Sequence, residues 1–146
     1  MFTQGKIIYF SPFYFKNGNT SKNKYFIVLK SSINGLVIAS LPTRSVKAQS
    51  LMDVTHGCIN VDDRCFNCYA FEANKVIADT GFSFPIATYV YGNEVETYEI
   101  EILTSNYLIE NIDYEIKGTL LQEEFTNLYN CIKNSNSIKR GIKRLL

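Results

Sequence analysis

The chain has 146 residues, of which 46% are hydrophobic and 20% charged. These values are typical of a globular protein with one core, and they exclude a disordered chain. No apolar stretch approaches the roughly 20 residues needed to span a bilayer. Residues 7–15 are interrupted by Pro12 and lack the features of a signal peptide. We therefore expect a cytoplasmic protein with reduced thiols.

The net charge is only +1, but the charged side chains are unevenly distributed. The first 50 residues carry seven basic side chains and no acidic one, whereas residues 51–132 carry all 14 acidic side chains against three basic ones. A basic segment of this kind favours contact with a polyanion such as a nucleic acid. The alternative is that the acidic part neutralises it in the folded protein.

The first half of the chain reads as short strands. Residues 5–15 predict a strand that bends at Ser11-Pro12, and residues 16–24 form a polar loop. The nearly continuous apolar runs at 25–30 and 36–41 predict buried strands, so the three strands should form an antiparallel meander. Residues 42–70 are less regular, and most of them should be loop.

In the second half of the chain, apolar residues first alternate with polar ones and then recur with helical spacing. Gly92-Asn93 predicts a two-residue hairpin turn. Tyr98, Ile100 and Ile102 alternate with glutamates, which predicts a half-buried strand. Thr119 and Gln122 fit a capping box, followed by a helical apolar face at Leu120, Leu121, Phe125, Leu128, Tyr129 and Ile132.

Short strands followed by terminal helices define the expected fold class. We expect a mainly β (α+β) protein consisting of one domain over residues 1–146. Its core should be a small, SH3-like antiparallel β-barrel over about residues 1–117, with C-terminal helices over about residues 119–146.

Four stretches resemble a known family, the PemK/MazF-like toxin endoribonucleases. They are Gly5–Ile8, the basic loop exit and strand Lys22–Leu29, the strand end Val37–Ser45, and the helix entry Ile116–Leu120. The resemblance covers most of the chain, and it depends on the order and spacing of these stretches. It implies an SH3-like barrel that is usually a homodimer. It also implies metal-independent cleavage of single-stranded RNA by the substrate's own 2′-hydroxyl, and neutralisation by an antitoxin protein.

The resemblance also implies roles for particular residues. Thr43 matches the family's catalytic threonine. Lys24 stands where the family has a catalytic arginine, and Tyr25 replaces the usual proline. Lysine carries a point charge on a flexible stem and lacks the planar fork of arginine. Arg44 is the candidate for supplying that fork.

The residues themselves favour the same chemistry. Cleavage by an internal 2′-hydroxyl requires in-line geometry and neutralisation of charge at the phosphate. Thr43 and Arg44 at a strand end, together with basic side chains nearby, could supply both. The candidates for RNA binding are Lys16, Lys22, Lys47 and the aromatic Phe13. The alternatives are a solvated basic loop and a core position for Phe13.

The only histidine lies in a cysteine-containing stretch, residues 56–68. His56, Cys58, Cys65 and Cys68 are zinc-type ligands, but six residues between Cys58 and Cys65 are few for a zinc ribbon. A disulfide is unexpected in the cytoplasm. We therefore predict no metal or cofactor, and we expect Cys65, Cys68 and Cys131 to be small buried apolar residues. His56 is either a general acid or base near Thr43 or a structural residue.

Two other functions remain open. One is an RNA-binding module without nuclease activity, which the lysine at position 24 would favour. The other is a protein-interaction module in which residues 119–146 dock a partner.

Overall fold

The computed structural model describes residues 1–44, 55–61 and 66–146, and at positions 61 and 66 it describes the backbone alone. The strands of these ranges are β1 (Lys6–Phe13), β2 (Lys22–Ser31), β3 (Leu36–Ser40), β4 (Thr43–Arg44), β5 (Gly57–Val61), β6 (Phe66–Phe71), β7 (Thr88–Tyr91), β8 (Val95–Glu99) and β9 (Tyr114–Thr119). The helices are α1 (Ile100–Asn106), α2 (Gln122–Lys133) and the short α3 (Arg140–Lys143), and a 3₁₀ turn spans Gly92–Glu94.

The strands form two antiparallel sheets. The first has the order β8-β3-β2-β1-β9 and the second the order β4-β7-β6-β5. The predicted mainly β, α+β class and the meander of β1, β2 and β3 are therefore confirmed. Along the described strands, the chain passes between the sheets from β3 to β4 through Leu41-Pro42 and from β7 to β8 through the 3₁₀ turn.

The first sheet is buried on both faces. Neighbouring side chains point to opposite faces of a strand, and in β1 and β2 the two sets belong to different apolar clusters. The inner cluster, which includes residues of the second sheet and of α2, takes Ile7, Ile27 and Leu29. The outer cluster takes Ile8, Phe26 and Val28. Double burial explains why these strands are continuous apolar runs and do not alternate with polar residues.

The outer cluster is rich in aromatic rings and is covered by α1 and the turn that follows it. Its rings are Phe2, Phe10, Phe13, Phe26, Tyr98 and Tyr107. The Phe13 and Tyr107 rings are stacked with their centroids 6.0 Å apart. Full burial of a side chain of this size contributes about 1.5–3 kcal/mol, so this cluster is a major source of stability.

Two local predictions near residue 100 are wrong. Gly92-Asn93 does not form a hairpin, because the 3₁₀ turn joins β7 and β8 in different sheets. Residues 100–106 form helix α1, not a strand. Ile100, Leu103 and Tyr107 have helical spacing and pack on the outer cluster, and this packing outweighs the alternation from Tyr98 to Ile102.

The predicted capping box at Thr119 is also wrong. Thr119 ends β9, where it is opposite Lys6, and its backbone N–H donates to Asp79 Oδ1. The chain stays extended through Leu121, and α2 begins at Gln122 without a side-chain cap. The predicted apolar face of the helix is confirmed at Leu128 and Ile132, which are buried in the inner cluster.

A disulfide between Cys58 and Cys131 joins β5 to the last turn of α2. The expectations of reduced thiols and of an unpaired, merely apolar Cys131 are therefore wrong for this pair. The two cysteines are 73 residues apart in the sequence. Their pairing depends on how α2 packs beside the second sheet, so the sequence alone did not predict it. Cys68 is a buried free thiol, and burial raises its pKa to about 11. Within the described ranges, no helix has the length and apolar character to cross a membrane.

We expect reduction of this disulfide to lower stability by about 2–5 kcal/mol, because the closed loop restricts the unfolded chain. Urea unfolding with and without a thiol reductant should show the shift, and Cys58→Ser should reproduce it and abolish the effect of the reductant. Cys68→Ala should keep the reductant effect. Equal unfolding midpoints for the oxidised and reduced protein would contradict the prediction.

Candidate functional site

The two chain passages between the sheets meet at a hydrogen bond. Thr43 is the first residue of β4, and Glu94 ends the 3₁₀ turn. The Thr43 hydroxyl lies 2.9 Å from Glu94 Oε2 and 3.1 Å from Oε1, so it donates to the carboxylate. Both side chains are partly exposed. The threonine predicted from the sequence therefore has a carboxylate as its partner.

A glycine at position 92 sets the position of this carboxylate. A Cβ at Gly92 would stand 2.7 Å from Ser137 Oγ, 2.8 Å from Ser135 Oγ and 3.0 Å from the Ile138 nitrogen. Any side chain would collide with these atoms, so the turn lies directly on the segment that follows α2. The C-terminal part of the chain thus helps to place Glu94.

Lys24 lies beside this pair. Its ammonium group donates to the Pro42 carbonyl oxygen at 3.1 Å, and the side chain is half-buried. Burial is the main cause that lowers the Lys24 pKa below the ordinary value of 10.5. The positive charges of Arg44 and Lys22 lower it further, whereas the Glu94 carboxylate raises it. Lys24 is therefore readier to release a proton than an ordinary lysine.

A cavity of about 440 Å³ opens in front of Lys24 and Glu94. This volume lies within the range of small-molecule sites, about 300–1,000 Å³. Charged, amide and apolar side chains share its lining: Phe13, Phe15, Lys16, Asn17, Asn19, Lys24, Leu41, Asn93, Glu94, Glu96 and Tyr98. Glu96 is paired with Lys139, which leaves Glu94 as the carboxylate next to the lysine.

The other predicted basic residues differ in their position relative to this cavity, whose lining includes Lys16 but neither Lys22 nor Arg44. Lys16 lines it, with its ammonium group bonded to the Thr97 carbonyl and 4.6 Å from the centre of the Tyr98 ring. Lys22 is exposed at the start of β2. Arg44 is exposed next to Thr43, with its guanidinium 5.3 Å from the centre of the Tyr25 ring. Lys47 lies outside the described residues.

Phe13 is brought to the cavity but is enclosed by the outer cluster. Its exposed fraction is 1%, and rings surround it on several sides: Phe10, Phe15, Phe26, Tyr98 and Tyr107. No ring face of Phe13 is therefore open to a base. Phe15 lines the same cavity and is only partly buried, so it is the better placed aromatic ring.

His56 is not brought to Thr43. It precedes β5, and the pairing runs from Gly57 through Ala70 and Tyr89 to Thr43. Three strand spacings separate the two positions, about 14 Å. His56 therefore lies at the opposite edge of the second sheet.

His56 instead belongs to a partly buried cluster against α2. Its Nε2 lies 2.5 Å from Glu124 Oε1, and its Nδ1 accepts the backbone N–H of Glu72 at 3.0 Å. Since Nδ1 accepts, Nε2 carries the hydrogen that is donated to Glu124. The Tyr69 hydroxyl donates to the same carboxylate oxygen at 2.9 Å. This cluster holds the first turn of α2, as the disulfide holds its last turn.

The described cysteines do not join His56 in a metal site. Cys58 is committed to Cys131, and Cys65 lies outside the described residues. Among the residues that the structure describes, no group of three or more His, Cys, Asp or Glu side chains could hold a metal ion.

Glu94 is the site residue that the sequence did not reveal. It follows Gly92-Asn93, which resembles a hairpin turn, and no spacing relates it to position 43. Only the two passages between the sheets bring Glu94 to Thr43. The acidic residue beside a Gly-Asn turn was the one available signal.

The chain was also compared with known proteins, and no family model, curated protein or solved structure matches it.

The Lys24 pKa offers a direct test of the site. In NMR titrations of the lysine side chains, Lys24 should have a midpoint below 10.5. Glu94→Gln should lower this midpoint further, because it removes the charge that stabilises the ammonium form. Arg44→Ala should raise it, because it removes a repelling charge. An unchanged midpoint in both variants would contradict the described proximity of these groups.

Proposed function

We propose that the chain is an endoribonuclease that cleaves single-stranded RNA by attack of the RNA's own 2′-hydroxyl on the adjacent phosphate. The observation that carries this proposal is the grouping of Lys24 and Glu94 in the lining of one cavity, with the Thr43 hydroxyl bonded to the Glu94 carboxylate. Two of the three were expected from the resemblance to PemK/MazF-like toxins, and the third is the base that the reaction requires.

Glu94 acts as the general base in this proposal. Its carboxylate accepts the proton of the 2′-hydroxyl, the 2′-oxygen bonds to phosphorus, and the bond from phosphorus to the 5′-oxygen breaks. The products are a 2′,3′-cyclic phosphate and a 5′-hydroxyl. The hydrogen bond from Thr43 orients the carboxylate, which is a positioning role of the kind that general-base catalysis requires.

Lys24 is the proposed general acid. Its lowered pKa favours transfer of its proton to the departing 5′-oxygen, and its charge stabilises the phosphorane. The exposed guanidinium of Arg44 can grip two phosphate oxygens at once. Lys16 and Lys22 bind flanking phosphates, and Lys47 belongs to this group on sequence grounds alone. The mechanism uses no metal or cofactor, and His56 has no step in it.

Further parts of the proposal follow from the resemblance. They are an SH3-like barrel, a homodimer, an antitoxin partner and a cytoplasmic location. The two passages between sheets support the barrel, since strands that continue from one sheet into another are the means by which small barrels close. The disulfide is more typical of oxidising compartments. A cytoplasmic location nevertheless belongs to the proposal, because the proposed RNA substrate is found there.

RNA binding without cleavage is the second candidate. The Lys24 ammonium group already donates to the Pro42 carbonyl, and lysine lacks the second contact that arginine would make. A site built in this way could hold phosphate without supporting the reaction.

Cleavage of a long single-stranded RNA by the purified protein tests the proposal. Each reaction is run with and without a chelator, and the product ends are identified. We expect chelator-resistant cleavage to cyclic phosphate ends. Lys24→Ala and Glu94→Gln should each lower the rate by about 10²–10⁴-fold, the usual contribution of a general acid or base. Thr43→Ala should lower it less, because the threonine acts through Glu94.

Matched controls are available on exposed surfaces. Lys75→Ala and Glu123→Gln remove the same types of side chain outside the cavity and should leave the rate unchanged. Cleavage that persists in Glu94→Gln would reject the assigned base. Salt-sensitive RNA binding without cleavage would favour the second candidate.

A further inference from the structure

An exposed apolar surface lies on α1 and the turn after it, which cover the outer cluster. We call it the acidic–apolar surface. Its aliphatic members include Leu108 and Ile112, with exposed fractions of 74% and 68%, and Ile102, at 52%. The full set is Tyr14, Ile102, Leu108, Ile109 and Ile112. Several exposed large apolar side chains on neighbouring elements commonly mark an interaction site.

The turn that carries these side chains is held in place by its own hydrogen bonds. Asp113 Oδ2 accepts the backbone N–H groups of Leu108 at 3.1 Å and Ile109 at 2.9 Å. The Asp113 N–H donates in turn to the Ile109 carbonyl at 2.8 Å. The aliphatic groups are therefore presented to solvent by an organised turn.

A cavity of about 410 Å³ opens into this surface. Tyr14 and Ile102 stand at its exposed part, and Leu36, Leu103 and Tyr107 line it more deeply. The Tyr14 ring is stacked on Tyr107 at 5.9 Å, and the Tyr107 hydroxyl accepts the Tyr14 N–H at 2.8 Å. A pre-formed apolar cavity of this kind suits one large side chain of a partner, as at the centre of many interfaces.

The charge around the surface selects the chemistry of the partner. Residues 99–116 contain five acidic side chains and no basic one. Asp113 caps the turn and Glu115 pairs with Lys117. The other three, Glu99, Glu101 and Glu110, are exposed and make no ion pair with any residue in the described ranges. Lys16 also lines the cavity, so the three exposed carboxylates stand against one ammonium group. The excess of negative charge repels nucleic acid and attracts Lys and Arg side chains.

We propose that the acidic–apolar surface docks a basic amphipathic helix of a partner protein. One large apolar side chain of the helix enters the cavity, and its neighbours cover Ile102 and Leu108. Basic side chains on the flanks of the apolar stripe pair with Glu99, Glu101 and Glu110. This mode joins helix-in-groove recognition to charge complementarity. It does not depend on the proposed nuclease activity.

Fluorescence anisotropy with two labelled peptides tests the proposal on the full chain. One is a leucine–lysine amphipathic helix of about 14 residues, or four turns. The other is its leucine–glutamate counterpart with the same apolar stripe. We expect the lysine peptide to bind at least ~10-fold more tightly than the glutamate peptide, a difference of about 1.4 kcal/mol. Ile102→Asp and Leu108→Ser should each weaken binding of the lysine peptide by a similar factor.

Val76→Asp is the matched control, because Val76 is 53% exposed and lies between β6 and β7, outside the acidic–apolar surface. It should leave binding unchanged, and circular dichroism should show that all three variants are folded. The proposal would be overturned if Val76→Asp weakened binding of the lysine peptide as much as the surface variants do, or if both peptides bound equally well. A labelled single-stranded RNA released by Ile102→Asp would assign the surface to nucleic acid instead. If light scattering gave Ile102→Asp half the molar mass of the unsubstituted protein, the surface would be assigned to a second copy of the chain.

Discussion

The double burial of the five-stranded sheet is the constraint on which the rest of the structure depends. Each strand at its centre must supply apolar side chains to both faces, so both faces need a cover. The second sheet and α2 cover one face, and α1 with the following turn covers the other. Burial of so many large side chains outweighs local preferences, as the helix at 100–106 shows.

The candidate site is a consequence of how the two sheets are connected. Because β3 continues into β4 and β7 into β8, two chain passages lie side by side. Thr43 and Glu94 form their hydrogen bond at the point where these passages meet. The same crossing places the half-buried Lys24 beside Pro42. The pKa of this lysine is lowered mainly because the packed sheets remove water from it. The acid and the base of the proposed reaction thus depend on the packing of both sheets.

The histidine and cysteine stretch has a structural place in this architecture. His56 and Cys58 hold the first and last turns of α2 against the second sheet, through Glu124 and Cys131. The segment after α2 then contacts Gly92, in the turn that carries Glu94. His56 and Cys58 resemble part of a metal-binding pattern in the sequence. In the structure they hold α2 in place, and α2 in turn helps to position Glu94.

The sequence by itself determined the elements whose signal is local. Continuous apolar runs predicted β2 and β3, helical spacing predicted the buried face of α2, and the class followed from them. The candidate residues Lys24, Thr43 and Arg44 were proposed from the sequence, through the resemblance to PemK/MazF-like toxins, and their roles stay a prediction. Tertiary structure alone decided the rest: the helix at α1, the position of Glu94, the Cys58–Cys131 bond, the burial of Phe13 and the distance of His56 from Thr43. These features depend on contacts between residues far apart in the chain, and no local pattern records such contacts.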